Sequence, residues 1–239
     1  METVICLITN NNYFETRYCI ENLMSKTSLP FRLHIVDNNS SDARLTNYLT
    51  KITKDISKGF LYKQDKQISL AECYNLLLTT AGENNCVLFP VNCIVDNNWL
   101  DDLLTSLEMI KNVGCACLRP TNAKIEFSPV LKESLYAGED VLENVMQTNE
   151  KVSTVIGFKP EILKVAGIFD VNLNAHGFEL SEFCLRVKVN GYSNYYIRKQ
   201  TVYKMPIKNE ILFPKIIEEN IVKFKETVNL MFKYKRFKK

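Results

Sequence analysis

The chain has 239 residues, 46% of them hydrophobic and 24% charged, with a formal net charge of +3. This is ordinary globular composition, enough for one large α/β domain or two small ones with a real core, and it contains no low-complexity tract and no obvious repeat. The charge is uneven: from Val222 to Lys239 seven Lys or Arg face one acid, Glu226, so that segment carries +6 and the remainder −3, which excludes a generally basic nucleic-acid binder. Met1-Glu2-Thr3 leads straight into an apolar run without a basic n-region or a small-residue cleavage site, which argues against a signal peptide. No apolar run approaches the roughly 20 residues that span a bilayer. Six of the eight cysteines (Cys6, Cys86, Cys93, Cys115, Cys117 and Cys184) sit in or beside apolar runs, as buried free thiols do, and the expected compartment is the cytoplasm. Cys115 and Cys117 share one side of a strand, but no second close pair completes a zinc site.

In chain order, Val4 to Ile8 reads as a first strand that breaks into Thr9-Asn10-Asn11-Asn12. Tyr13 to Leu23 follows as a helix, ended by Ser28-Leu29-Pro30. Phe31 to Val36 is a second strand that delivers Asp37 and then Asn38-Asn39-Ser40-Ser41-Asp42, a polar run able to cap the next helix. Leu45, Leu49 and Ile52 form that helix's buried stripe. Phe60 to Tyr62 is a short third strand leading to Lys63-Gln64-Asp65. Ser69 to Thr80 is a helix, and Cys86 to Phe89 a fourth strand ended by Pro90. Asp96-Asn97-Asn98 is read as the cap of a helix from Trp99 to Ile110, and Val113 to Leu118 as a fifth strand.

Beyond residue 118 the pattern loosens. Asn122 to Ser134 reads as a loop or hairpin over the strand ends, and Glu139 to Met146 as a short helix. Thr154 to Phe158 is strand-like, and Pro160 opens a helix over Glu161 to Val165. Gly177-Phe178-Glu179-Leu180-Ser181-Glu182 opens another helix that runs to Val189 and closes at Asn190-Gly191. Tyr192 to Ile197 and Thr201 to Lys204 read as two strands. After Pro214 a last helix carries Ile217, Ile221, Phe224, Val228 and Met231 at steps of four and three. The regular alternation over the first 118 residues implies a mostly parallel, three-layer sheet, whose strand ends open onto one crevice. Gly-rich phosphate loops are missing, so some other device must handle phosphate there.

Five features in order resemble the family 2 glycosyltransferases of the GT-A fold. They are Ile8-Thr9-Asn10 with Cys19-Ile20-Glu21-Asn22-Leu23; Val36-Asp37-Asn38-Asn39-Ser40-Ser41-Asp42; Leu70-Ala71-Glu72-Cys73-Tyr74-Asn75; Val87-Leu88-Phe89 with Trp99-Leu100; and Gly167-Ile168-Phe169-Asp170 with Glu179 to Arg186 and Gly191-Tyr192. Together they span residues 4 to 196. The resemblance implies an α/β fold of three layers, a Rossmann-like, mostly parallel GT-A sheet with an added C-terminal helix. It implies a nucleotide-sugar-binding half over 1–118, an acceptor-binding half of the same domain over 119–205, and a basic amphipathic helix over 206–239.

The resemblance also implies roles. Asp37 would accept hydrogen bonds from the base or ribose of a UDP-sugar or other nucleotide sugar, with Thr9, Asp65 and Asn75 beside it. For Asp42 a helix cap is the equal alternative, and for Asn75 a structural amide. The family holds Mn²⁺ or Mg²⁺ with an acid pair after the fourth strand. Here that stretch is Pro90-Val91-Asn92, with Asn92 in the ligand place and Asp96 four residues on. A neutral amide oxygen can bind a hard cation but adds no charge. Inverting members place Glu-Asp at the start of the helix containing Cys184; here the pair is Glu179-Leu180, and leucine takes no proton. Glu179, Glu182 and His176 remain as bases, although Glu182 also stands four residues before Arg186, the spacing of a solvated ion pair. Without the acid pair, Arg119, Lys124 or Arg198 would hold the departing diphosphate.

The implied activity is transfer of a sugar from a nucleotide-diphosphate donor to an acceptor hydroxyl, with inversion, in glycan or cell-surface polysaccharide synthesis. The alternative is a catalytically degenerate relative that serves as a partner or as a carbohydrate- or nucleotide-binding subunit. A sugar-phosphate nucleotidyltransferase would show a Gly-rich first loop, which Thr9-Asn10-Asn11-Asn12 lacks. Aromatic residues interleave with the cations of 222–239. That pattern suits a helix on the anionic inner face of a membrane where a lipid-linked acceptor is met, a partner-protein groove, or a plain helix packed on the domain. No nucleic-acid recognition module is present.

Overall fold

A computed structural model describes residues 1–56, 59–121, 143–144, 154–172, 178–205 and 226. The loop Asn122 to Ser134, Lys124, His176 and, apart from Glu226, the 206–239 segment fall outside those residues.

Strands β1 (Thr3–Thr9), β2 (Arg32–Asp37), β3 (Phe60–Lys63), β4 (Asn85–Leu88), β5 (Cys93–Val95), β6 (Val113–Pro120), β7 (Glu143–Asn144), β8 (Ile156–Phe158) and β9 (Ser193–Lys204) form one sheet. Its order is β3-β2-β1-β4-β8-β6-β9-β5, with β7 also on β9. The pairings give β1 to β4, β6 and β9 one common direction; β5, β7 and β8 run the other way. The helices are α1 (Tyr13–Lys26), α2 (Ala43–Asp55), α3 (Leu70–Ala81), α4 (Trp99–Met109), α5 (Pro160–Ala166) and α6 (Glu179–Val189).

Strand alternation builds the three layers. Val4, Cys6, Cys86, Leu88, Cys115, Cys117 and Phe158 pack with α3, α5 and α6 on one face. Their neighbours Ile5, Leu7, Val87, Phe89, Ala116 and Leu118 pack with α1, α2 and α4 on the other. A strand covered on both faces has no polar side, which is why β1, β4 and β6 read as continuous apolar runs rather than alternating ones. The packing is tight at β8: a Cβ on Gly157 would lie 2.3 Å from Leu103 Cδ2, so the bare backbone lets α4 approach the sheet. All eight cysteines are buried free thiols. Among the described residues no helix is long and apolar enough to cross a membrane.

Three elements differ from the sequence reading. Cys93–Val95 is a strand that the break at Pro90 concealed: after a tight turn closed by Cys93 N–H on the Pro90 carbonyl (3.0 Å), the chain returns antiparallel to β9. The two strands after Tyr192 are one strand, β9, in which Leu118 faces Ile197 but the next residue, Arg119, faces Thr201. Arg198, Lys199 and Gln200 are therefore extra, a bulge that locally bends the strand. Gln200 anchors it by donating to Asp102 Oδ2 at 2.7 Å. Glu143 and Asn144 pair with Tyr196 and Tyr195 instead of joining a short helix. At α4, the N-cap is Asn98 in a left-handed conformation (φ 62°) with no capping side chain, so neither Asp96 nor Asn97 caps it; Asp101 and Asp102 in the first turn face the helix dipole instead.

His34 on β2 is buried against α3, with Nδ1 3.0 Å from Thr80 Oγ1. Burial, with Arg32 nearby, pushes its pKa down from 6.5 to about 4. A histidine held neutral in the fold contributes stability that is fully present above the unfolded pKa and is lost as pH falls through the folded one. Urea unfolding should therefore show about 2–3 kcal/mol lost to this group between pH 7 and pH 4. In His34→Gln that part of the slope should vanish; an unchanged slope would refute the assignment.

Candidate active site

The C-terminal ends of β1, β2 and β3 form a row in which Thr9, Asp37 and Lys63 are register neighbours. The chain runs from β1 outward to β2 and β3 and then jumps to β4 on the other side of β1. Such a switch in strand order leaves a crevice at the carboxyl edge, the usual ligand site of open α/β sheets.

The crevice wall is stitched by asparagines. Asn38 N–H donates to the Thr9 carbonyl at 2.8 Å. The Asn38 side chain makes a reciprocal pair with Ile68, at 2.9 Å in each direction, tying the β2 loop to the segment before α3. Asn11 (φ 53°) accepts from Ser41 N–H at 2.7 Å and Asp42 N–H at 3.1 Å, while its own N–H donates to Ser40 Oγ at 2.9 Å. Asn tolerates the left-handed conformation and bonds nearby backbone, so it does what glycine loops do elsewhere. Asp37 is only 3% exposed, and its Oδ1 accepts from Ser40 N–H at 3.1 Å. Asp42 caps α2 through Arg44 N–H at 2.9 Å and grips the Arg44 side chain, which holds its carboxyl below the usual range. Its role is therefore the helix cap. Thr9 is buried with its hydroxyl 2.6 Å from Thr16 Oγ1, so that side chain joins β1 to α1 rather than lining the crevice. Asp65 is exposed at the end of the row.

α6 packs with α3 and α5 on one face of the sheet. Asn75 on α3 gives both ends of its amide to Phe169, donating to the carbonyl at 2.9 Å and accepting from N–H at 2.8 Å. The structural alternative for Asn75 is the one realised: it fixes the loop that precedes α6. Tyr74 stacks on Phe169 (4.8 Å) and Phe169 on Phe183 (4.9 Å), completing that junction. Burial, with Glu179 and neighbouring thiols adding to it, pushes the Tyr74 hydroxyl well above its usual pKa. Glu179 itself is buried at the first position of α6.

Glu182 meets Arg186 in a two-pronged pair, one prong at 2.8 Å, and Arg186 also donates to the Ala166 carbonyl and lies over Phe183. The i,i+4 pair is present, but it is buried rather than solvated: the Glu182 side chain is 3% exposed. Both its oxygens are engaged by Arg186, which in turn ties α6 to α5 through Ala166, so Glu182 holds that arginine in place and does not present a free base. Burial raises its pKa despite Arg186.

The two metal candidates are separated. Asn92 is buried at the carboxyl edge, where Nδ2 donates to the Met205 carbonyl at 3.3 Å and its own carbonyl accepts from Met205 N–H at 2.7 Å. Asp96 is exposed just past the far end of β5, four residues on, which is roughly 13 Å down the sheet at about 3.3 Å per residue. The unseen strand β5 is the reason: it carries the chain away from the edge. Among the described residues no group of three His, Cys, Asp or Glu can hold a metal ion. A divalent cation held beside a diphosphate asks for one or two protein carboxylates, and among the described residues the β4–β5 turn supplies the Asn92 amide and no carboxylate. Arg119 stands near the edge end of β6, and Arg198 falls in the β9 bulge. A cation that the sequence did not single out lies nearer to Asn92: Lys204, the register partner of Cys93.

Neither the family models nor the curated proteins compared with this chain contain a match. Solved structures do match. GalNAc-T7 crystallised with UDP, GalNAc and Mn²⁺ superposes with a TM-score of 0.76 at 11% identity, covering 95% of this chain and 48% of that one. Residues 1–349 of S. aureus TarS in complex with UDP-GlcNAc give 0.70 at 13% identity, covering 95% and 66%. The mannosyltransferase PcManGT from Pyrobaculum calidifontis with GDP-Man and Mn²⁺ gives 0.64 at 13%, covering 87% and 58%. The chain thus spans about half to two-thirds of the length of these neighbours. Its fold is the GT-A fold of glycosyltransferases.

Proposed function

We propose that this chain is a glycosyltransferase that moves a sugar from a nucleoside-diphosphate donor to an acceptor hydroxyl with inversion. One observation carries the reading: the buried Asp37 carboxylate stands at the carboxyl edge beside the β1/β4 switch, on a wall stitched by Asn11 and Asn38. The solved neighbours support it, since their own complexes contain UDP, UDP-GlcNAc and GDP-Man.

In this reading residues 1–118 bind the donor and 119–205 the acceptor. Asp37 accepts from the ribose or base through its remaining acceptor sites, with Asp65 at the rim. The acceptor oxygen attacks the anomeric carbon opposite the diphosphate. The carbon–oxygen bond to phosphate breaks and its electron pair leaves with the diphosphate. The hydroxyl proton goes to Glu179, the buried acid at the head of α6. The acceptor is a glycan or lipid-linked saccharide. The basic 222–239 segment suits a cytoplasmic protein that works at an anionic membrane face, or one that docks on a protein partner.

The engagement of Glu182 by Arg186 favours one second reading, a degenerate transferase that binds a donor or a partner without turnover. Release of free nucleotide from UDP-, GDP- and dTDP-sugars, with and without saccharide acceptors, separates the two. Transfer requires release by the native chain, its collapse in Glu179→Gln, and its survival within several-fold in Glu182→Gln. Nucleotide binding without any release establishes the degenerate reading instead.

A further inference from the structure

The donor's diphosphate needs a positive charge, and the edge beyond β4 offers no carboxylate pair to bring one in as a metal ion. Asn92 has its amide nitrogen on the Met205 carbonyl, and its Oδ1 faces the Cys93 thiol at 4.0 Å. Asp96 is carried away by β5. What the fold does bring to this spot is the end of β9. Two bonds between Asn92 and Met205, at 2.7 and 3.3 Å, clamp the strand end against the β4–β5 turn. The residue just before the clamp is Lys204, paired directly with Cys93. The two side chains therefore project from the same face of the sheet, one residue from Asn92. The ammonium acts at that distance: burial pushes the Cys93 thiol up to about 12, and Lys204 pulls against that rise. Lys204 is partly buried and stands at the carboxyl-edge end of β9.

We propose that Lys204 takes the place of the divalent cation, so that the donor site works without metal and Lys204 receives the charge that develops on the leaving diphosphate. The inference rests on the donor-site reading above and adds its charge-bearing residue. Asn92 then has a different purpose from ligation: it is a positioning residue whose amide fixes the β9 end. A lysine is a point charge with three donors, able to meet several phosphate oxygens in turn. With no carboxylate at the β4–β5 turn to hold a cation, the lysine charge is the one this turn brings to the phosphates.

The test is calorimetric titration of the full chain with UDP, GDP and dTDP, and with the matching monophosphates, in EDTA and in Mn²⁺. The expected result is one diphosphate bound equally in both conditions. Lys204→Met, which keeps the stem, should weaken that diphosphate about 10- to 100-fold, the range of a charged hydrogen bond. It should leave the monophosphate nearly unchanged, and Lys204→Arg should restore most of the loss. Thermal melts check that each variant folds. Binding that needs Mn²⁺, or a Lys204→Met variant that binds diphosphate like the native chain, overturns the inference and leaves the donor site standing. Absence of binding by every nucleotide overturns the donor-site reading and the inference with it.

Discussion

Asp37→Ala is expected to weaken nucleoside-diphosphate binding about 10- to 100-fold while the chain stays folded. The carboxylate lies at the end of a buried strand with 3% exposure, and Ser40 N–H takes only Oδ1. A carboxylate has about four acceptor positions, so a ribose diol or a base N–H can still be met. Removing it leaves those donor groups unpaired in a desolvated crevice. Asp37→Asn isolates the charge, because the amide oxygen can still accept from Ser40 and keep the turn. It should fold like the native chain and bind with an intermediate affinity. Native affinity in both variants, measured by calorimetry, would move the nucleotide away from β2.

Arg186→Met should be the most destabilising change near the site, at about 3–5 kcal/mol. It leaves Glu182, with its side chain 3% exposed, as a buried charge without its partner, and it frees the Ala166 carbonyl. The opposite change, Glu182→Leu, should cost less, because the Arg186 side chain is 20% exposed and can turn its head to water. The double variant should recover much of the loss, since a packed apolar pair can match a buried ionic one. The pH dependence has a definite sign. Burial raises the Glu182 pKa above 4.5 in the fold, and losing Arg186 raises it further. A raised acid favours the fold as it takes up its proton, so the Arg186→Met deficit should shrink as pH falls toward 4.5. Equal costs for the two single changes, in urea unfolding at pH 7, would show that the pair is not buried as described.

These two positions also show how far the sequence could be read. The place of Asp37, buried at the end of β2, was legible because an apolar run ends on it and breaks at once into Asn and Ser. The Glu182–Arg186 spacing was legible too, but not its burial, since that depends on α5 and the Ala166 carbonyl closing over it. Thr9 and Asn75 carry the right chemistry at the right places in the chain, yet their polar atoms are consumed by Thr16 and, 94 residues away, by Phe169. No local pattern announces such a partner. The same holds for Asn92 and Met205, 113 residues apart, and so for Lys204. Its position depends on the register of a three-residue strand and on a three-residue bulge, and neither leaves a periodicity to read. Asp96 was misplaced for that reason alone.

The most direct measurement is titration of the native chain with UDP, GDP and dTDP in EDTA. The account predicts saturable binding of one of them at a single site, unchanged by added Mn²⁺ and weakened by Asp37→Ala. Heat signals indistinguishable from buffer for all three, in EDTA and again in Mn²⁺, would contradict it and leave the GT-A fold here without a nucleotide to hold.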